Sequence, residues 1–136
     1  MINLVKNSID WNKNVKKKNL IVPKKLQSGD KIATVSLSWG VAGDSPFSQR
    51  YKIGVERMKN LFGLKVIAMP NSLKSSDYLS KNPQARAEDL MQAFSDPKIK
   101  AIISNIGGND TLRLHPFMSS YLNHFHRLYL VCLKTF

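Results

Sequence analysis

The chain of 136 residues has a single cysteine, Cys132. That excludes an internal disulfide and a thiolate metal cluster, and Cys132 reads as a small buried hydrophobe rather than a reactive thiol. Glutamate is nearly as scarce, with Glu56 and Glu88 alone. No apolar run reaches the roughly 20 residues of a bilayer crossing, so no membrane span is expected. The opening MINLVKNSIDWNK has no sustained apolar stretch followed by small residues and does not read as a secretory signal. Together these absences make the cytoplasm the expected compartment. They also give no reason to expect a metal or other cofactor.

Acids are outnumbered as well, at 9 against 21 Lys and Arg, for a net charge of +12. The excess is concentrated at the start. Lys6, Lys13, Lys16, Lys17, Lys18, Lys24 and Lys25 face only Asp10 in the first 25 residues. Such a lead could contact an anionic partner. It lacks the aromatic and arginine pattern that suits bases, so nucleic acid is disfavoured and a solvated tail is the simpler reading. Residues 1–22 are therefore taken as a basic extension. With 43% hydrophobic residues, the remainder can form one domain with a core.

Ser28-Gly29-Asp30 reads as a turn. Ile32, Ala33 and Val35 then mark a first strand, followed by an irregular loop, 38-SWGVAGDSP-46. In 47-FSQRYKIGVERMKNLF-62, Tyr51, Val55, Met58 and Phe62 share one helical face. Gly63 stands where a helix ends in a left-handed residue. Leu64 to Met69 is a second strand, and 71–82 a polar loop. Asn82 and Pro83 open a second long helix, with Ala87, Leu90, Met91 and Phe94 on its apolar face and Glu88 and Asp89 toward its positive end. Ala101 to Ile106, almost wholly apolar, is a third strand buried on both faces. Strand–helix–strand–helix–strand implies right-handed parallel crossovers and an α/β, three-layer domain over residues 23–117. Ligands in such sheets bind beyond the C-terminal strand ends. The loops there are 36-SLSWGVAG-43 and 107-GGNDT-111.

A strand that runs through Gly107-Gly108 into Asn109-Asp110-Thr111 has the outline of a nucleophile elbow, with backbone N–H groups available to an oxyanion. Local sequence also allows Asp110 or Thr111 as a plain helix N-cap. It does not show the Gly-Lys spacing of a phosphate loop.

The stretches 26-LQSGDKIATVSLSWG-40, 78-YLSKNPQARAEDLMQAFSDPKIKAIISNIGGND-110 and 113-RLHP-116 resemble the N-terminal domain of the LD-carboxypeptidase family of serine peptidases. That family includes muramoyltetrapeptide carboxypeptidases and microcin C immunity proteins. The resemblance implies a nucleophile at Thr111, an oxyanion hole from the N–H groups of Gly108 and Leu112, and a substrate loop at Ser38, Trp39 and Gly40. It implies as substrate a small peptide or a peptidyl-nucleotide, and leaves a homodimer open. Arg113 reads as structural.

Three departures qualify this reading. The family places Ser where Thr111 stands, and a β-methyl on a strained elbow would crowd attack. The family's His and Glu belong to a C-terminal domain that this sequence does not contain. Glu56 and Glu88 lie on helices, while His124 and His126 would have to fold back over the loop. Finally, 118–136 diverges from the family, and Tyr121, Leu122, Phe125, Leu128, Tyr129 and Cys132 recur at helical spacing. The expectation is a truncated hydrolase domain, inactive alone. The alternatives are a non-catalytic binding module and a decayed fragment whose basic lead contacts anionic partners.

Overall fold

A computed structural model describes residues 24–118 and 130–132. Four parallel strands form one sheet in the order β2-β1-β3-β4. They are β1 (Lys31–Val35), β2 (Lys65–Ala68), β3 (Ile99–Ser104) and β4 (Leu130–Cys132). The helices are α1 (Ser48–Phe62), α2 (Ser76–Lys81), α3 (Pro83–Ser95) and a short α4 (His115–Met118). The α/β class and the parallel sheet match the sequence expectation.

Alternation along β1 sorts the two layers. Ala33 and Val35 join Ala87, Leu90 and Ala93 of α3, together with Ile102 and Leu114, in the larger core. Ile32 points the other way, to Ala101 and Leu64, with Met58 of α1 packed against them. Thr34 is on this same side, its hydroxyl 3.0 Å from that of Tyr51. The two layers are unequal. α3 buries Ala87, Leu90, Met91 and Ala93, whereas α1 has no fully buried residue and Phe62 is 61% exposed. β3 is nonetheless buried on both sides, at Ile99 and Ile102 in the larger core and at Ala101 in the smaller, as its apolar run led us to expect, and only Ile103 on the smaller side is half-buried.

Several local expectations are met. Gly63 ends α1 at φ 66, and Gly29 turns at φ 91 into β1. Others are revised. The polar loop at 71–82 contains α2, whose N-cap Ser75 accepts from the Tyr78 N–H. Asn82 does stand before Pro83, but its side chain donates backwards to the Tyr78 carbonyl and so closes α2 rather than capping α3. Asp89 is not at the start of α3. It is buried mid-helix and accepts from the backbone and side chain of Asn71. Within the tail, Leu130–Cys132 pairs in parallel with β3, Ile103 opposite Val131, where helical spacing was expected. The other tail residues, His124 and His126 among them, lie outside the described residues, as does the basic extension.

Candidate active site

β1 and β3 are neighbours whose outgoing chains leave to opposite faces, and both loops of interest rise from their C-terminal ends. Beneath these loops is a polar layer. The Ser36 hydroxyl donates to the Ser72 carbonyl at 2.6 Å. Asn105, just past β3, donates its N–H to the Val35 carbonyl and its side chain to the Ser36 hydroxyl. Short polar side chains thus tie the ends of β1, β2 and β3 where the ladder stops.

The loop after β3 turns at Gly108, with φ 150, a backbone that L side chains rarely adopt. A Cβ there would collide with the Ser38 hydroxyl. The turn then enters a 3-10 turn, Asp110–Leu114. Its N-cap is Asn109, which makes no side-chain cap bond, so neither Asp110 nor Thr111 is the cap that local sequence allowed. Thr111 is exposed within this turn, and no described residue other than glycine has positive φ. The strain anticipated at Thr111 is therefore carried by Gly108, and a β-branched residue fits the backbone at 111. The Leu112 side chain is 80% exposed.

Ser38 and Gly40 are buried beside this loop, while Trp39 projects into solvent. The Ser38 hydroxyl accepts from the Asp110 N–H at 3.0 Å. Gly40 lies so close to α2 that a Cβ would come within 2.8 Å of the Ser75 carbonyl. Trp39, Val41 and Ala42 also line a groove of about 630 Å³ between α1 and the sheet. That groove reaches Ser104–Ile106 but not Thr111.

The strongest polar feature escaped the sequence reading as a site residue. Arg86, from the quoted Arg-Ala-Glu-Asp-Leu run on α3, is 1% exposed. Its Nη1 donates to the Leu37 and Ser38 carbonyls at 3.0 and 2.9 Å. Its Nη2 meets the Asp110 carboxylate at 2.8 Å. Arg86 Nε is the one buried side-chain polar atom without a partner among the described residues. An arginine between Ala85 and Ala87 carries the helical phase of a buried position, the only sequence signal for it. Arg113 is more exposed; it donates to the Ser80 carbonyl and, at 3.5 Å, to Asp110.

Burial raises the Asp89 carboxyl above its ordinary value of 3.8, against the lowering effect of its Asn71 hydrogen bonds; nearby Glu88 raises it further. Among the described residues, no cluster of His, Cys, Asp and Glu could hold a metal ion, and no helix is long and apolar enough to cross a membrane. No described His, Asp or Glu is hydrogen-bonded to the Thr111 hydroxyl.

A parallel sheet with a glycine-turned loop beyond the inner strand β3 defines an α/β domain with a loop site at its C-terminal strand ends. The sequence profile of the LD-carboxypeptidase N-terminal domain matches residues 32–127. The chain belongs to the LD-carboxypeptidase family. The match continues past Pro116, where the resemblance read from sequence stopped. The MccF-like protein from Streptococcus pneumoniae, solved with AMP, is 43% identical with a TM-score of 0.64, over 71% of this chain and 27% of that one. The microcin C7 self immunity protein MccF is 28% identical with a TM-score of 0.63, over 72% of this chain and 28% of its own. The YocD protein of Bacillus subtilis (strain 168) is 30% identical over 66% of this chain. This chain thus covers 27% of YocD and a similar share of the solved relatives.

Proposed function

We propose that this chain is the nucleophile-bearing domain of an LD-carboxypeptidase-like amide hydrolase, with Thr111 at the nucleophile position. The observation that carries the reading is the loop itself. Thr111 is exposed beyond the C-terminal end of β3, one residue after Asp110, on a turn that only a glycine at 108 permits. In such a reaction the Thr111 oxygen forms a bond to the substrate's carbonyl carbon. The carbonyl electron pair moves to oxygen, where the Gly108 and Leu112 N–H groups would receive it. The hydroxyl proton passes to a base, and the amine leaves as the carbon–nitrogen bond breaks. No described residue supplies that base, which supports the reading of a domain that does not turn over substrate by itself.

The substrate class proposed is a peptidyl-nucleotide, with an LD-linked cell-wall peptide as the competing choice. Relatives support the first. The MccF-like protein of Streptococcus pneumoniae is solved with AMP, and MccF with aspartyl sulfamoyl adenosine and glutamyl sulfamoyl guanosine. Ser38, Trp39 and Gly40 would border the bound ligand.

The test combines binding and turnover. Titration with AMP, followed by amide NMR, is expected to shift resonances of residues 38–43 and 107–112. Shifts elsewhere only, or none, would remove the ligand reading. Neither an LD-tetrapeptide nor a peptidyl-nucleotide is expected to be hydrolysed by the purified chain, with Thr111 or with Thr111→Ser. Turnover that Thr111→Ala abolishes would overturn the claim that this domain is inactive alone.

A further inference from the structure

We infer that Arg86 is the positioning residue of this site: its guanidinium holds the Thr111 loop and the substrate loop in one fixed relation. The inference rests on the reading of Thr111 above, but its test does not depend on turnover.

Arg86 is rooted on α3, yet its guanidinium reaches out to the two loops. Leu37 and Ser38 offer carbonyls from one side, and Asp110 a carboxylate from the other. The guanidinium is a planar fork whose donors cannot move independently. The spacing between the Ser38 carbonyl and the Asp110 carboxylate is therefore set by covalent geometry. A second strap closes the triangle, as the Asp110 N–H donates to the Ser38 hydroxyl. Gly108 leaves room for that hydroxyl. Thr111 follows Asp110 directly, so whatever fixes Asp110 fixes the start of the Thr111 turn.

General stability is a poor account of this arrangement. A buried ion pair is weak evidence for stability, because desolvation offsets much of the attraction. An apolar side chain at 86 would fill the space between α3 and the sheet without leaving an unpartnered Nε. What an apolar residue could not do is reach three acceptors on two separate loops.

The experiment is residue-resolved amide hydrogen exchange with NMR on the whole chain, comparing Arg86→Lys with the unmodified protein. Lysine keeps the charge and loses the fork. The Asp110 amide is expected to exchange about tenfold faster, and the amide resonances of 107–112 to move, while Ala33 and Ile102 in β1 and β3 keep their protection. Asp110→Asn is the second variant. It leaves the bonds of Arg86 to the Leu37 and Ser38 carbonyls in place, and should shift Gly108, Thr111 and Leu112 resonances with the strands unchanged. A folded Arg86→Lys protein with Asp110 exchange unchanged within twofold would overturn the inference. Acceleration spread evenly over β1, β3 and the loop would also overturn it, because the role would then be global. If Arg86→Lys does not fold, Asp110→Asn decides alone. Strand protection lost together with that of the loop counts against the inference.

Discussion

The Arg86 guanidinium and the Asp110 carboxylate meet at 2.8 Å, the first completely buried and the second about a third exposed. The asymmetry predicts which deletion hurts more selectively. Asp110→Ala strands a buried cation, where removing one partner of a buried pair costs about 3–5 kcal/mol; the partial exposure of Asp110 places the effect near the lower end, about 3 kcal/mol. Urea denaturation followed by circular dichroism measures it. Asp110→Asn, which still offers an acceptor, should lose about half as much. Equal losses for the two variants would mean that charge is not the issue.

Gly108 is expected to be the least replaceable residue of the loop. Gly108→Ala meets two obstacles, a φ of 150 and the Ser38 hydroxyl in the path of the new Cβ. Strained backbone of this kind costs about 1–3 kcal/mol. Adding Ser38→Ala removes the hydroxyl, but it keeps the Ser38 Cβ 2.9 Å from the new methyl and leaves the backbone as it was. The double variant should therefore recover only part of the loss, as read from thermal midpoints of the single and double variants.

Gly40→Ala should separate the substrate loop from α2. The new methyl would stand 2.8 Å from backbone atoms of Ser75 and Ser76, which cannot swing aside as a side-chain tip could. Overpacking of this type costs about 1–3 kcal/mol. Exchange protection at the start of α2 should fall along with it, most clearly at Tyr78, whose N–H is held by the Ser75 hydroxyl.

Asp89 predicts a pH dependence with a definite sign. Its carboxyl is raised above 3.8 by burial, so the folded chain holds the proton more tightly than the unfolded one. Stability contributed through this group is greatest below that ordinary value and falls as pH climbs through the raised folded value. Asp89→Asn cannot titrate. The stability of the unmodified protein minus that of the variant should therefore decline across that window and level off above it, as followed by denaturation at stepped pH. A difference that rises instead would mean that the Asn71 hydrogen bonds outweigh burial.

Much of the fold is legible along the chain because its signals are local. The Tyr51, Val55 and Met58 spacing, the Gly63 stop and the apolar run at 101–103 each announce their element within a few residues. α2 was not legible, since six residues in a polar stretch show no periodicity, and only Ser75 as a cap hints at it. β4 was missed for a different reason. Three residues of strand are defined by pairing with β3, a partner remote in sequence. The candidate site was legible as two loops and as Thr111, but not as a network. Asp110 looks like a surface position, and the helical phase that turns Arg86 inward does not name its partners until the fold brings the two together. The strain assigned to Thr111 belongs to Gly108, since a turn's geometry falls on the residue that tolerates it.

Among the described residues one long helix, α1, lies over one face of the sheet, with a consequence for handling the chain by itself. α1 buries no residue completely, Ile53, Leu61 and Phe62 stand out to water, and the groove beneath it stays open along β1 and β3. Over its described residues the domain is hydrophobically unfinished on this side. It should bind a fluorescent apolar dye while still folded, and self-associate as concentration rises. The net charge of +12 opposes that association by repulsion, so added salt, by screening it, should lower the concentration at which the chains begin to stick.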